Sequence, residues 1–254
     1  MVSRLRTLLA MAAVLLVGAA CVGGSSTDGT SNVVHDVPFE VGERLVYDLI
    51  GREGVAVGQG TLSVVAWGDS LELTQSYREL LDGTLSDVVD QVAVRSDVRL
   101  LSHTLSRAVT SDGRDNSYTS EYNIDATTGR AESVTFGAVE GGESSEKTID
   151  VEGSYYDNET SLWLWRTLDF AEEYEARYVS VSHLDRSLQT VILRVIDQQE
   201  IEVPAGVFQT WRLQVRSGRA TRTAWVNVQA PHEIVQWDNS SLIFRLRAIE
   251  SAGD

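Results

Sequence analysis

The side chains able to do chemistry are few, and most are badly spaced for it. The four histidines, His35, His103, His183 and His232, are widely scattered and show no metal-ligand spacing. The sequence has no H-E-x-x-H, no paired C-x-x-C, no G-x-S-x-G and no P-loop. The expectation is a chain without catalysis, metal or cofactor. Carboxylates are plentiful but distributed. In "SDGRDN", Asp112, Asp115 and Asn116 could offer oxygen ligands to calcium. The spacing is not that of an EF-hand loop, and the same residues are ordinary turn formers between two extended runs. Asp82, Asp87 and Asp90 read as a solvated strand face.

A better candidate is the hairpin "WRLQVRSGRATRTAWVNV". A turn from Ser217 to Ala220 sets Trp211, Leu213 and Val215 on one face with Ala224, Val226 and Val228. Arg212 then stands across from Trp225 on the other face, close enough for a cation–π contact. Arg212, Trp225 and Asn227 are therefore a candidate ligand-binding face; the competing reading is a stabilising pair on a solvated sheet surface. A one-residue slip would exchange the faces. Trp163 and Trp165 are the second candidate, two indoles placed to cover the mouth of a cavity. Against that stands the use of large aromatics as core material.

The third chemical site is the single cysteine, Cys21. Arg4 and Arg6, then the apolar run Leu8–Ala20, then small residues before Cys21, follow the order of a secretory signal peptide. The run is too short to span a bilayer, which takes about 20 residues. "GAAC" resembles the lipobox of bacterial lipoproteins, in which the cysteine is lipidated and becomes the mature N-terminus. Gly18 departs from that pattern, which usually has an aliphatic residue there. An unpaired cysteine in an exported chain calls for such an explanation, and the Gly/Ser/Thr tract after it has the composition of a tether. Residues 1–20 are thus expected to be a signal peptide, and 21–35 a lipidated cysteine with a flexible tether. The alternative is a soluble periplasmic or secreted protein.

What must position these residues is a sheet. From Asp36 onward, period-2 runs bounded by Gly, Asp, Asn or Ser follow one another. "RLVYDLI" puts Leu45, Tyr47 and Leu49 on one face, and "SLIFRLRAI" does the same for Leu242, Phe244 and Leu246. "SLQTVILRVIDQQEIEV" and "VFQTWRLQVRS" flank a turn at Val203-Pro204-Ala205-Gly206, and "AVEGGESSEK" (138–147) reads as a long hairpin loop. One segment breaks the pattern: Asn158 can cap a short helix near 159–169, with Leu162, Trp165 and Leu168 at helical spacing. The expected fold is mainly β, a curved antiparallel sheet forming a half-barrel or barrel-like sandwich, in a single domain over 36–250. Basic residues number 21 against 37 acidic, a net charge of −16 that argues against nucleic acid as a partner.

Two motifs carry a family resemblance. "FEVGERLVYDLIGREGVAVGQG" resembles the opening signature of the exported bacterial DUF3108-like family, at Phe39, Gly42, Glu43, Leu45 and Tyr47, with Gly58 on the second strand. "EVPAGVFQTWRLQV" and "WVNVQAPHEIVQW" are similar to the hairpin and proline turn that follow in it. The resemblance implies an antiparallel β structure with a concave apolar surface, loosely similar to the half-barrels of lipoprotein carriers, and brings no catalytic residues. Together these readings point to a lipid-anchored extracytoplasmic protein that binds an apolar ligand or an envelope partner. The alternative is a structural or assembly component of the envelope with no small-molecule site.

Overall fold

The computed structural model describes residues 33–81, 83–95, 104–111, 113–125, 127–128, 131–151 and 155–250. The signal segment, Gly18, Cys21 and the tether up to residue 32 lie outside the described residues, as do Asp82, His103 and Asp112. The strands are Arg44–Ile50 (β1), Ala56–Trp67 (β2), Ser70–Leu81 (β3), Thr84–Arg95 (β4), Thr104–Ser111 (β5), Arg114–Ile124 (β6), Ala131–Glu140 (β7) and Glu143–Asp150 (β8). A short strand, Tyr155–Asp157 (β9), leads into a helical turn, Ser161–Leu164 (α1), continued as a 3-10 turn over Trp165–Thr167. Then come Glu175–Ser182 (β10), Ser187–Val203 (β11), Gly206–Ser217 (β12), Ala220–Asn227 (β13), Ile234–Asp238 (β14) and Ile243–Glu250 (β15).

Sequence neighbours are sheet neighbours almost throughout, as hairpin chemistry dictates. β1 pairs with β15 as well as β2, so the last strand joins the first. β8 and β9, consecutive in the chain, stand at the two ends of the sheet, and no ladder joins them among the described residues. β9 runs parallel to β10, so the sheet is mixed; it is curved and not closed.

The curl brings the two ends over one another. Alternate residues of a strand point to opposite faces. On β10, Ala176 and Tyr178 belong to the main core, while Val179 and Val181 pack into a smaller one with Tyr122, Val134, Phe136 and Tyr155. The β6–β7 layer therefore covers the far face of β9–β10. Inside the main core lie Leu45, Tyr47, Leu49, Phe244 and Leu246, on the faces the alternation assigned them.

Three expectations need correction. The helix is shorter than 159–169, and its N-cap is Thr160, not Asn158. The Asn158 amide donates instead to Glu159 Oε1, while the Thr160 carbonyl accepts from the N–H of Trp163 and Leu164. Residues 138–147 are not a loop: β7 and β8 meet through a turn at Gly141 and Gly142, both at positive φ. Every residue from Glu143 to Thr148 is exposed, so the strand offers no apolar alternation to read. Finally, packing starts before residue 36. Val33 is buried, its N–H donates to the Tyr156 hydroxyl, and the His35 N–H donates to the Thr167 carbonyl.

Candidate functional site

The hairpin hypothesis had the right register. Ser217 pairs with Ala220 and Arg212 with Trp225, and Ala224 and Val226 are fully buried. Yet the Arg212 guanidinium forks onto Asp197, Nε to Oδ1 at 2.9 Å and Nη2 to Oδ2 at 2.6 Å. Among the described residues, the guanidinium that lies over a ring is that of Arg166, 5.3 Å from the centroid of Phe39. Asn227 is occupied by its own turn: its amide donates to Glu233 Oε2, and its Oδ1 accepts from the Gln229 N–H. Trp163 and Trp165 are 1% and 2% exposed. With Leu162 and Leu164 they fill the concave side of the sheet, where an apolar ligand had been expected. These five residues do not come together as one site.

Two other groups do. The first sits at the rim where the chain comes in. Arg166 is fully buried, and its Nη1 and Nη2 donate to Glu43 Oε1 and Oε2 at 2.6 and 2.7 Å. Nη2 and Nε also donate to the Pro231 carbonyl, at 3.0 and 3.3 Å. A buried charge persists only when paired and hydrogen-bonded in this way. The family-like signature thereby acquires a physical meaning. Phe39 covers the guanidinium, Glu43 neutralises it, and Tyr47 donates its hydroxyl proton to the Ile234 carbonyl. Gly42 takes a φ of 93°, and a Cβ on Gly58 would stand 1.9 Å from the Arg78 carbonyl oxygen.

Beside this anchor opens a cleft of about 460 Å³. Its apolar walls include Leu168, Phe170, Trp211 and Val228, and its polar ones His35, Asp36, Asp169 and His232. Phe170 lies parallel to Trp211, at 6.1 Å between centroids, and tilts against the His232 ring at 5.1 Å. His232 holds a φ of 58°, in the left-handed region, with Nδ1 2.9 Å from the Asn227 carbonyl. Strain of that kind concentrates at functional sites. Two histidines far apart in sequence thus share one cleft, which no local spacing could announce.

The second group is buried where the sheet ends overlap. Asp90 and Arg107 pair across β4 and β5, and Arg107 Nε is 3.4 Å from Asp90 Oδ1. Arg107 Nη1 and Nη2 donate at 3.4 Å to Glu159 Oε2 and the Tyr77 hydroxyl. His183 Nδ1 lies 3.5 Å from Glu159 Oε1. Burial lowers the His183 pKa, with the Glu159 charge opposing, so the imidazole is neutral at pH 7 and that contact is no ion pair. Burial, reinforced by Glu159, pushes Asp90 up to about 8, and pushes Asp157 up to about 7. The reading of Asp90 as solvated is overturned, since it is 1% exposed, whereas Asp87 is on the surface with Arg78. The signal was legible: Asp90 occupies an inward position between Val88 and Val92, on an otherwise apolar face.

A family model described as a protein of unknown function (DUF3108) matches residues 46–243. No curated protein matches the sequence. The chain is similar in fold to a beta-barrel-like protein of domain of unknown function DUF1849 from Brucella abortus. The TM-score is 0.54 at 10% identity, over 86% of this chain and 99% of that one. A candidate lipoprotein from Parabacteroides distasonis aligns at TM-score 0.32 and 13% identity, over 87% of this chain and 100% of that one. A candidate exported protein with a YmcC-like fold from Bacteroides fragilis aligns at TM-score 0.28 and 9% identity, over 86% and 100%.

Proposed function

We propose, taking as premise that the chain belongs to the DUF3108 family of proteins of unknown function, that it is a lipid-anchored extracytoplasmic binding protein without catalytic activity. Its ligand is a small amphiphile seated in the rim cleft, not on the concave face of the sheet. The observation that carries this reading is the contrast between the two places. The concave side is filled by Trp163, Trp165 and their neighbours, whereas the cleft's volume, about 460 Å³, falls in the range of small-molecule sites. Leu168, Phe170, Trp211 and Val228 suit an apolar tail, and His35, Asp36, Asp169 and His232 suit a polar head.

The anchor and the cleft support each other. The N-terminal segment forms one wall of the cleft through His35, Asp36 and Pro38. Residues 21 to 33 reach at most about 40 Å when extended, so a lipid on Cys21 would keep this rim close to the membrane. The filled interior also favours a second reading, an envelope assembly component with no small-molecule site.

One preparation tests both. The full chain is recovered from its native membrane and its bound lipids are identified by mass spectrometry. A bound amphiphile in the wild type, lost in Trp211→Ala, supports the cleft; a lipid-free wild type supports the assembly component. Cys21→Ser should abolish labelling by a fatty-acid probe and release the protein from membranes. Unchanged membrane association of that variant would sink the anchor.

A further inference from the structure

The overlap between the sheet ends is closed by side chains, because no main-chain ladder joins β8 to β9 among the described residues. The Tyr122 hydroxyl donates to Asp157 Oδ2 at 2.5 Å, and the Tyr122 ring stacks on Tyr155 at 5.1 Å. Around that contact the buried polar groups are under-partnered. Among the described residues, both carboxylate oxygens of Asp90, both ring nitrogens of His183, the hydroxyls of Ser120, Ser180 and Tyr155, and Arg107 Nε make no protein hydrogen bond, the 3.4 Å approach of Arg107 Nε to Asp90 being an ion-pair contact only. Native interiors rarely leave such groups unpaired, and a cluster of them calls for a cause. The cluster bridges layers that could separate: Asp90, Arg107 and Tyr122 belong to the covering layer, and Asp157, Glu159 and His183 to the covered one.

We propose that this cluster is a proton-operated latch, closed while Asp90 and Asp157 carry protons and released as they ionise, uncovering the smaller core. That core, with Tyr122, Val134, Phe136, Val151, Tyr155 and Val181, is the surface the latch would expose. The latch does not depend on what occupies the rim cleft.

The charges facing the latch set its direction. Asp90 meets burial and the Glu159 and Asp157 charges, with Arg107 opposing; Asp157 meets burial and Glu159, opposed by hydrogen bonds from Tyr122 and the Glu159 N–H. Tyr77, pushed up to about 12 mainly by burial, stays protonated. Burial raises Glu79, which lies beyond Tyr77. At the β10 end, the Asp185 carboxylate is held by Ser182 and Gln189, Lys147 donates to the Arg186 carbonyl, and Tyr118 donates to Glu140.

A carboxyl whose pKa rises on folding binds its proton more tightly in the folded state. Its contribution is complete below the unfolded value and is lost as pH climbs through the folded one. For Asp157 and Asp90 that loss begins in the ordinary carboxylate range and is complete only above about pH 7 and about pH 8. His183 runs the other way, because burial lowers its pKa. Its contribution is present above its unfolded pKa and is lost as pH falls through the folded value, so it favours opening only on the acid side and cannot cause the loss at high pH.

Amide hydrogen exchange of the full chain, corrected for intrinsic rates and followed from about pH 6 to about pH 9, tests the latch. Protection in β6, β7, β9 and β10 should fall by about tenfold or more across that range, while β11–β13 changes by less than about threefold. In Asp90→Asn with Asp157→Asn the local fall should vanish. If that pair does not fold, Glu159→Gln serves, because removing its charge should move the loss to lower pH. A uniform change along the chain, a wild-type profile in the double variant, or an unmoved midpoint in Glu159→Gln would overturn the proposal.

Discussion

Arg166 and Arg107 each tie the segment between β9 and β10 to the sheet wall, and they do it under opposite terms. Arg166 is fully buried and has all three nitrogens placed, on two Glu43 oxygens and the Pro231 carbonyl at 2.6 to 3.3 Å. Arg107, 11% exposed at its side chain, reaches Asp90, Glu159 and Tyr77 only at 3.4 Å. Its carboxylate partners crowd one another, so burial and mutual repulsion keep protons on Asp90. A saturated ion pair fixes a fold, because any departure leaves a bare charge in a low dielectric. An unsaturated cluster has spare bonding capacity and titratable members, so its strength varies with conditions. The rim anchor at Arg166 is therefore constant, and the cluster around Arg107 can respond to pH.

The largest effect is expected at Arg166. Glu43→Gln leaves the guanidinium buried without its counter-charge, and should cost about 3–5 kcal/mol of stability in denaturant unfolding. A loss below about 1 kcal/mol would mean that the pair does not anchor the rim, since that is the range of an exposed pair. The surface hairpin gives the lower bound. Arg212 and Asp197 are 36% and 46% exposed at their side chains, so Arg212→Ala should cost no more than about 1 kcal/mol in the same assay. A larger cost there would return the Arg212–Trp225 face to consideration as a site in its own right.

Much of the fold could be read before any coordinate. Alternation assigned the buried faces of β1 and β15, and Ser217–Ala220 gave the hairpin register, because both signals are local. β8 escaped because a strand exposed on both faces has no alternation to show. The site was less legible. Glu43 belonged to a recognisable signature, but its partner lies 123 residues away, and only the curl of the sheet brings them together. His35 and His232 met in one cleft for the same reason. Asp90 was the avoidable miss: a charge at an inward position of "VVDQV" is a buried charge, and a buried charge needs a partner or a proton.

The central claim about function is that the working surface is the rim cleft. Photocrosslinking in the native envelope tests it with one probe at two positions. Benzoylphenylalanine replaces His35, which lines the cleft, or Thr190, exposed on β11. Position 35 should give a discrete adduct and position 190 none. Equal adducts from both positions, or none from position 35, would contradict it.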